Sequence, residues 1–209
     1  MGRRVIVGLG NPGPRYARTR HNVGFDVAQR VVAATGALPL KSGSESWAAW
    51  LAAPDPADPG GHGLAVVTPL RFMNRSGEAL EQFRRNIDFA PADCLVVVDD
   101  VYLPLGRIRL RAGGSPGGHN GLASVTGAFG SSEFPRLRIG VGGADSAAQL
   151  AEHVLSEFAA DEADTLSAVL DRSAEAALLW ASEGITAAMN RYNVPAQSAR
   201  DDTTPQGER

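Results

Sequence analysis

Short apolar runs that alternate with longer helical patterns constrain the fold of this chain more than any other feature of its sequence. Each run has the length and composition of a buried strand, and the segments between and after the runs carry apolar residues at helical spacing. This alternation predicts an α/β architecture. The predicted strands cover residues 5–7, 64–68, 95–98, 108–110 and 137–141, and the predicted helices cover residues 25–35, 76–86, 122–129, 147–158 and 162–183.

The length and composition of the chain predict one domain. The 209 residues, 44% of them hydrophobic, can bury a substantial core. We expect this domain to span residues 1–195, with a loop at 54–61, and residues 196–209 to form a disordered polar tail. Cys94 is the single cysteine, which excludes a disulfide framework within the chain and fits a reducing compartment. Because no segment is apolar enough for a signal peptide or a membrane span, we expect a soluble, cytoplasmic protein.

Charge is distributed unevenly along the chain. Residues 1–140 contain 16 Lys and Arg against 11 Asp and Glu, whereas residues 141–209 contain 4 against 12. In a strand at 107–111 every second residue is arginine, so three arginines share one face, and Arg136 and Arg138 repeat the pattern. A basic face of this kind suits an anionic partner, although the same pattern is also found on a solvated strand face that binds nothing.

The sequence GLGNPG at residues 8–13 has the spacing of a dinucleotide-binding fingerprint, but its surroundings do not fit one. Such a fingerprint needs its third glycine in the first turn of a helix and an acidic residue at the end of a second strand. Here Pro12 and Pro14 flank the third glycine, and the nearby acid, Asp26, falls in a predicted helix. We therefore expect no nucleotide cofactor.

Loops that follow the predicted strands carry polar side chains suited to hydrolysis. If the strand ends share one edge of the sheet, a histidine, a carboxylate and three amides meet there. A neutral imidazole can accept a proton from water, a carboxylate can orient the imidazole, and amides can hold a carbonyl and its oxyanion. Each residue could instead serve only in a turn or a helix cap. The residues of this predicted site are Asn11, His21, Asn74, Asp99 and Asn120.

Two alternatives to direct attack by water find little support in the sequence. No serine occupies a G-x-S-x-G motif and Cys94 lies in an apolar run, so a covalent intermediate is disfavoured. The four histidines are scattered without the spacing of metal ligands, so we expect no metal. The residues thus predict metal-free hydrolysis of an acyl bond.

In order and spacing, three segments resemble the bacterial-type peptidyl-tRNA hydrolase family. They are VGLGNPG at 7–13 with Tyr16 and TRHN at 19–22, FMN at 72–74 with SG at 76–77, and GGHNGL at 117–122. The likeness extends over about residues 4–192 and includes Asp99. It implies a monomeric α/β domain with a mixed, twisted central sheet flanked by helices on both faces. It also implies cleavage of the ester between a peptide and the 3′ ribose of tRNA.

The resemblance also implies roles for individual residues. His21 would be the general base toward water, Asp99 would maintain its basic form, and Asn11 would distinguish an N-blocked peptidyl group from a free aminoacyl group. The acceptor stem, the 3′ CCA end and the peptide main chain of the substrate would meet a second group of residues. The side chains predicted to bind tRNA or the peptide are Tyr16, Phe72, Asn74 and Asn120, with phosphate-binding charge from Arg107, Arg109, Arg111, Arg136 and Arg138.

A non-catalytic RNA-binding relative on the same fold is the alternative function. His21 and Asp99 argue against it, because binding alone needs neither a base nor an orienting acid. The sequence departs from the family at Tyr102, where a second acidic residue is common, and at residues 143–144, where a basic residue and a proline are common. These departures affect the rim of the site and its contacts with tRNA.

Overall fold

A seven-stranded sheet organises the part of the chain that the computed structural model describes, namely residues 3–40, 45–53, 63–143 and 146–194. Apolar and β-branched residues dominate the central strands, which suits strands buried on both faces. In chain order the strands are Arg4–Gly8 (β1), Leu38–Pro39 (β2), Trp47–Leu51 (β3), Leu64–Pro69 (β4), Cys94–Asp100 (β5), Ile108–Arg111 (β6) and Arg136–Gly140 (β7).

The sheet is mixed, with strand order β2-β3-β4-β1-β5-β7-β6. The four central strands β4, β1, β5 and β7 run parallel to one another. The outer strands β2, β3 and β6 run antiparallel to their neighbours. Since the chain passes from β1 first to β4 on one side and then to β5 on the other, the sheet has a switch point at the carboxyl end of β1. Crevices at such points are the usual ligand sites of α/β sheets.

Helices cover both faces of the sheet and enclose two hydrophobic clusters. One cluster includes Val27 and Trp180 and lies under the helices at 23–35, 163–183 and 185–192. The other includes Leu80 and Val125 and lies under the helices at 76–84 and 120–129. The predicted architecture, a mixed sheet between two layers of helices, is confirmed. The helices are Val23–Thr35 (α1), Ser76–Arg84 (α2), Asn120–Phe129 (α3), Ala147–Val154 (α4), Ala163–Glu183 (α5) and Ile185–Tyr192 (α6).

The glycines of residues 8–13 serve packing and turn geometry. A Cβ atom on Gly8 would lie 2.1 Å from the carbonyl oxygen of Gly24, and a Cβ atom on Gly24 would lie 2.4 Å from that of Leu9. Only glycine at both positions therefore lets the start of α1 pack directly on the end of β1. Gly13 has a φ of 100°, which residues with a side chain rarely adopt, and it opens the turn Pro14–Tyr16.

Several predicted boundaries were wrong. The helix predicted at 147–158 ends at Val154, because the chain then turns so that Ser156 accepts a backbone hydrogen bond from Arg20 and Glu157 bridges to Thr19. The strands β2 and β3 were missed, as was α6. Strand β3 contains two alanines, which favour strands weakly, and α6 is a short helix that begins after a glycine.

Three predictions fall outside the described residues: the loop at 54–61, the disordered tail at 196–209, and the departure at residue 144. Among the helices of the described ranges, none has the length and apolar character that crossing a membrane requires.

Candidate active site

A pocket of about 520 Å³ opens at the carboxyl ends of β1 and β5. The loops after β1, β4 and β5 contribute to its lining, as do the loop before α3 and one face of α4. All five residues of the predicted site line this pocket. The fold therefore brings together Asn11, His21, Asn74, Asp99 and Asn120, as the sequence predicted.

Two histidines share one oxygen of Asp99. The distance from His21 Nδ1 to Asp99 Oδ1 is 2.7 Å, and that from His119 Nε2 to the same oxygen is 3.0 Å. The two imidazole rings lie with their centroids 5.2 Å apart. Asp99 is 3% exposed, so this network is largely shielded from water. The centre of the pocket is thus a buried carboxylate between two imidazoles.

The hydrogen bonds around His119 indicate the tautomers of both rings. His119 is the N-cap of α3, and its Nδ1 accepts the backbone N–H groups of Gly121 and Leu122 at 3.1 and 3.2 Å. Its Nε2 therefore carries the proton and donates it to Asp99. If His21 likewise donates from Nδ1 to the carboxylate, its Nε2 is left with a free lone pair. A histidine held in this form is a proton acceptor in a pocket that can admit substrate.

The protonation of Asp99 follows from the same contacts. Burial raises the pKa of the Asp99 carboxyl, but the charge interaction and hydrogen bond of His119, together with those of His21, lower it well below its usual range. The carboxylate consequently stays ionised at neutral pH, where it can stabilise an imidazolium that forms beside it.

Hydrogen bonds fix both the side chain and the backbone of Asn11. Its side-chain oxygen accepts the N–H of Met73 at 2.8 Å, and the side chain of Asn22 bonds to both the N–H and the carbonyl of Asn11. Because Oδ1 is occupied by Met73, the amide nitrogen of Asn11 remains as a donor for a ligand. Asn11 is thereby a fixed hydrogen-bond donor on the wall of the pocket.

The remaining predicted contacts occupy the rim. Phe72 is 54% exposed, and Asn74 and Asn120 are also exposed while lining the pocket. Tyr16 does not line the pocket among the described residues, but its ring meets Phe72 edge to face at 6.3 Å. An aromatic pair, Tyr16 and Phe72, therefore borders the pocket on the side of β4.

Asn120 lies in the pocket as predicted, but it does not reach the pocket from the end of a parallel strand. Since β6 runs antiparallel to β7, its end at Arg111 lies at the opposite edge of the sheet from the ends of β1 and β5. The loop between Arg111 and His119 returns along the sheet to the pocket. Arg136 and Arg138 support this loop, because their guanidinium groups donate to the carbonyl oxygens of Gly114, Ser115 and Pro116.

Arg136 was predicted to offer its charge to phosphate, and that prediction was wrong. It is 1% exposed and donates to backbone carbonyls, including that of Ser132 at 2.6 Å. Arg138 lines the pocket and also donates to Asp100 Oδ2 at 3.2 Å. Arg109 is exposed and pairs with Arg138 across the two strands, and Arg111 is exposed beside Arg136. Paired residues share a face of the sheet, so Arg109, Arg111 and Arg138 form a basic strip from the sheet edge to the pocket.

One cluster of the described residues has donor atoms suited to a metal ion: His21, Asp99 and His119, whose potential ligand atoms lie within 4.8 Å of one another. His21 and His119 are therefore not scattered, as their positions in the sequence predicted, because the fold brings them together. Both histidines bond to the same carboxylate oxygen, and the second nitrogen of His119 caps α3. Within this cluster, His21 Nδ1, Asp99 Oδ1 and both ring nitrogens of His119 already take part in hydrogen bonds of the protein.

His119 was not among the predicted site residues, although it lies in the GGHNGL segment that also contains Asn120. Met73, whose N–H orients Asn11, was not predicted either. The same holds for the apolar residues that α4 and the residue after it contribute to the pocket, namely Leu150, Val154 and Leu155. Nothing in the sequence of α4 distinguishes a pocket wall from an ordinary amphipathic helix.

Comparison with known proteins gives consistent matches over nearly the whole chain. Residues 5–201 match the family model described as Peptidyl-tRNA hydrolase. The chain is 44% identical over 190 residues to the peptidyl-tRNA hydrolase of Symbiobacterium thermophilum, covering 91% of this chain and 98% of that one. It is also 44% identical over 190 residues to that of Chloroflexus aggregans, with coverages of 90% and 98%. The crystal structure of peptidyl-tRNA hydrolase from Acinetobacter baumannii superposes with a TM-score of 0.83 at 31% identity, covering 92% and 95% of the two chains.

Proposed function

This chain belongs to the peptidyl-tRNA hydrolase family and hydrolyses peptidyl-tRNA, and on that premise we propose how its residues carry out the reaction. The observation that carries the proposal is the 2.7 Å hydrogen bond between His21 Nδ1 and the buried carboxylate of Asp99. It leaves Nε2 of His21 as the base for a water molecule in the pocket.

The proposed reaction is direct hydrolysis. His21 Nε2 takes a proton from water, and the water oxygen attacks the ester carbonyl carbon to give a tetrahedral oxyanion. The bond between that carbon and the 3′ oxygen of the ribose then breaks, and the imidazolium returns its proton to the leaving oxygen. Asp99 stabilises the imidazolium between these steps, and His119 keeps Asp99 oriented by donating to the same oxygen. The products are a free peptide acid and tRNA with a free 3′ hydroxyl group.

Asn11, Asn74 and Asn120 are the proposed positioning groups around the ester. The fixed amide nitrogen of Asn11 suits the main-chain carbonyl of a peptide, because a free aminoacyl group has no such carbonyl on its nitrogen. The exposed amides of Asn74 and Asn120 line the same pocket as His21 and can hold the ester and its oxyanion. Phe72, with Tyr16 behind it, offers an apolar contact at the rim on the β4 side.

The basic strip is the proposed contact for the tRNA. Phosphate contacts carry no sequence information, which suits an enzyme that must accept tRNAs of many sequences. In this arrangement the acceptor stem lies along Arg109 and Arg111, and the 3′ CCA end crosses Arg138 toward His21. We assign the activity to a monomeric domain of residues 1–195 in the cytoplasm.

Ester cleavage of two substrates tests the proposal. Wild-type protein should release the amino acid from N-blocked aminoacyl-tRNA and leave the unblocked species intact. His21→Asn should lower kcat by about 10²- to 10⁴-fold, the usual contribution of a general base, while still binding tRNA. Equal cleavage by wild type and His21→Asn would overturn the mechanism. No cleavage together with intact tRNA binding would support the non-catalytic alternative.

The salt dependence of tRNA binding tests the basic strip. Replacing Arg109 and Arg111 by alanine should weaken binding and reduce the slope of log K against log salt by about 1.5, because two phosphate contacts are lost. Arg85→Ala with Arg191→Ala removes the same charge from exposed positions outside the strip and should leave the slope unchanged. An unaltered slope in the Arg109 and Arg111 variant would remove these two residues from the contact surface.

A further inference from the structure

The aromatic ring of Tyr102 lies at the mouth of the pocket. It is 74% exposed although it lines the pocket. No stacking partner for its ring is found in the described parts of the chain, whereas Phe72 on the opposite rim meets Tyr16. The ring of Tyr102 is therefore exposed in the pocket that His21 and Asp99 also line.

The backbone that carries Tyr102 is fixed by hydrogen bonds. The N–H of Tyr102 donates to Asp100 Oδ1 at 2.9 Å, and the N–H of Leu103 closes the turn on the carbonyl oxygen of Asp100 at 3.4 Å. The N–H of Gly142 donates to the carbonyl oxygen of Leu103 at 3.1 Å, which joins the turn to the residues after β7. The next residue, Leu103, is buried and anchors the turn in the core. Because the backbone is already fixed, only the side-chain torsions of Tyr102 lose freedom when a ligand covers the ring.

The strand order places Tyr102 on the basic side of the pocket. Phe72 follows β4 on one side of β1, while Tyr102 follows β5, which is next to β7 and the arginines of the basic strip. Asp100 connects Tyr102 to Arg138, because one of its carboxylate oxygens accepts the N–H of Tyr102 and the other accepts a hydrogen bond from the Arg138 guanidinium. A cation and an aromatic face are thus held together by one buried carboxylate.

We propose that Tyr102 is a stacking platform for one base of the single-stranded 3′ end of the substrate, with Arg138 beside it for the adjoining phosphate. Aromatic faces combined with cations bind single-stranded nucleic acid without reading its sequence. This inference rests on the proposed function, which brings a tRNA 3′ end into this pocket. It assigns the β5–β7 side of the pocket to nucleotides and the Phe72 side, with Asn11, to the peptide.

Steady-state kinetics with N-blocked aminoacyl-tRNA give the first test. Tyr102→Ala should raise KM roughly tenfold, the usual effect of losing one stacked base, and leave kcat within about twofold. Tyr102→Phe keeps the ring and should behave like the wild type. Leu38→Ala is the matched control, because Leu38 is 72% exposed and does not line the pocket. An unchanged KM in Tyr102→Ala would overturn the inference.

Substrates with one abasic nucleotide at each of the three terminal positions locate the contact. If Tyr102 stacks on one of these bases, removing that base and removing the ring should not have additive effects on KM. Tyr102→Ala and wild type should then have the same KM for the substrate that lacks this base, and different KM values for the other two substrates. Additive effects at all three positions would overturn base stacking. A KM effect that varies with the peptide's side chains and not with the missing base would assign Tyr102 to the peptide instead.

Binding of a deacylated RNA hairpin with a single-stranded CCA end, followed by fluorescence anisotropy, separates this inference from the proposed function. Tyr102→Ala should weaken binding by roughly the same factor as it raises KM. This measurement needs no hydrolysis, so loss of cleavage in wild type would refute the proposed function while the Tyr102 comparison still stands. Equal binding by Tyr102→Ala and wild type would refute the stacking contact alone.

Discussion

Asp99 and Asp26 are both acidic side chains that the fold withdraws from water, and their protonation equilibria are displaced in opposite directions. Burial raises the pKa of Asp26 to about 6, and the nearby Arg30 offsets only part of this effect. Burial also raises the pKa of Asp99, but His119 and His21 more than reverse it, so that its pKa lies below the usual range.

The difference lies in the partners of the two carboxylates. Asp99 receives hydrogen bonds from two imidazoles, whereas Arg30 directs its Nε toward Asp171 at 2.7 Å. Burial without such hydrogen bonds therefore raises the pKa of a carboxyl group. Donors that are fixed by other parts of the fold are needed, and at Asp99 they come from the loop after β1 and from the cap of α3.

Replacing Asp99 should produce the largest effect. Asp99→Asn retains an oxygen that can accept both histidine protons but removes the charge that stabilises the imidazolium of His21. We expect kcat to fall by about 10²- to 10⁴-fold. This rate constant comes from initial rates of ester cleavage at saturating substrate.

Asp26→Asn is the matched control for that experiment, since it makes the same chemical change at a partly buried carboxyl group outside the pocket. Its kcat should equal that of wild type. If the two variants lost activity equally, the charge of Asp99 would have no special role, and the comparison between the two residues would fail.

The sequence predicted the site well where side chains follow parallel strands. Asn11 follows β1 and Asp99 lies at the carboxyl end of β5, so the rule that parallel strands end at one edge places them together. The same rule does not explain Asn120 and His119, because β6 is antiparallel and its loop returns across the sheet. Strand direction depends on pairing between distant segments, and the pattern of residues 108–111 does not determine it.

Arg136 and Arg138 illustrate a second limit. Alternation along a strand predicts which residues share a face, and the two arginines do lie on one face of β7. Whether that face is open to a ligand depends on what packs against it. The returning loop covers Arg136 and leaves Arg138 at the pocket, which no local pattern in β7 could indicate.

Replacing His119 should produce an intermediate effect and separate its two roles. His119→Asn can still cap α3 but cannot donate to Asp99, whereas His119→Ala loses both contacts. We expect both variants to lower kcat by roughly tenfold, because Asp99 keeps its bond to His21. The alanine variant should be less stable than the asparagine variant by about 1 kcal/mol, the contribution of the cap, as measured by urea unfolding. Equal stability of the two variants would mean that the cap contributes nothing, and full activity of His119→Asn would remove His119 from the network.

The smallest effect is expected in the stability of Asp26→Asn, and it depends on pH. Because the pKa of Asp26 is about 6 in the folded protein and near 3.8 in an unfolded chain, ionised Asp26 disfavours folding above pH 6. Asparagine carries no charge, so the variant should be more stable than wild type at pH 7 by about 1 kcal/mol, a value reduced by the partial exposure of the side chain. The advantage should shrink as pH falls from 6 and disappear below about 4, where wild-type Asp26 is protonated in both states. Urea unfolding at pH 4 and pH 7 measures this difference. A variant that is less stable at pH 7 would show that the negative charge of Asp26 stabilises α1. The folded protein would then favour ionised Asp26, as it favours ionised Asp99.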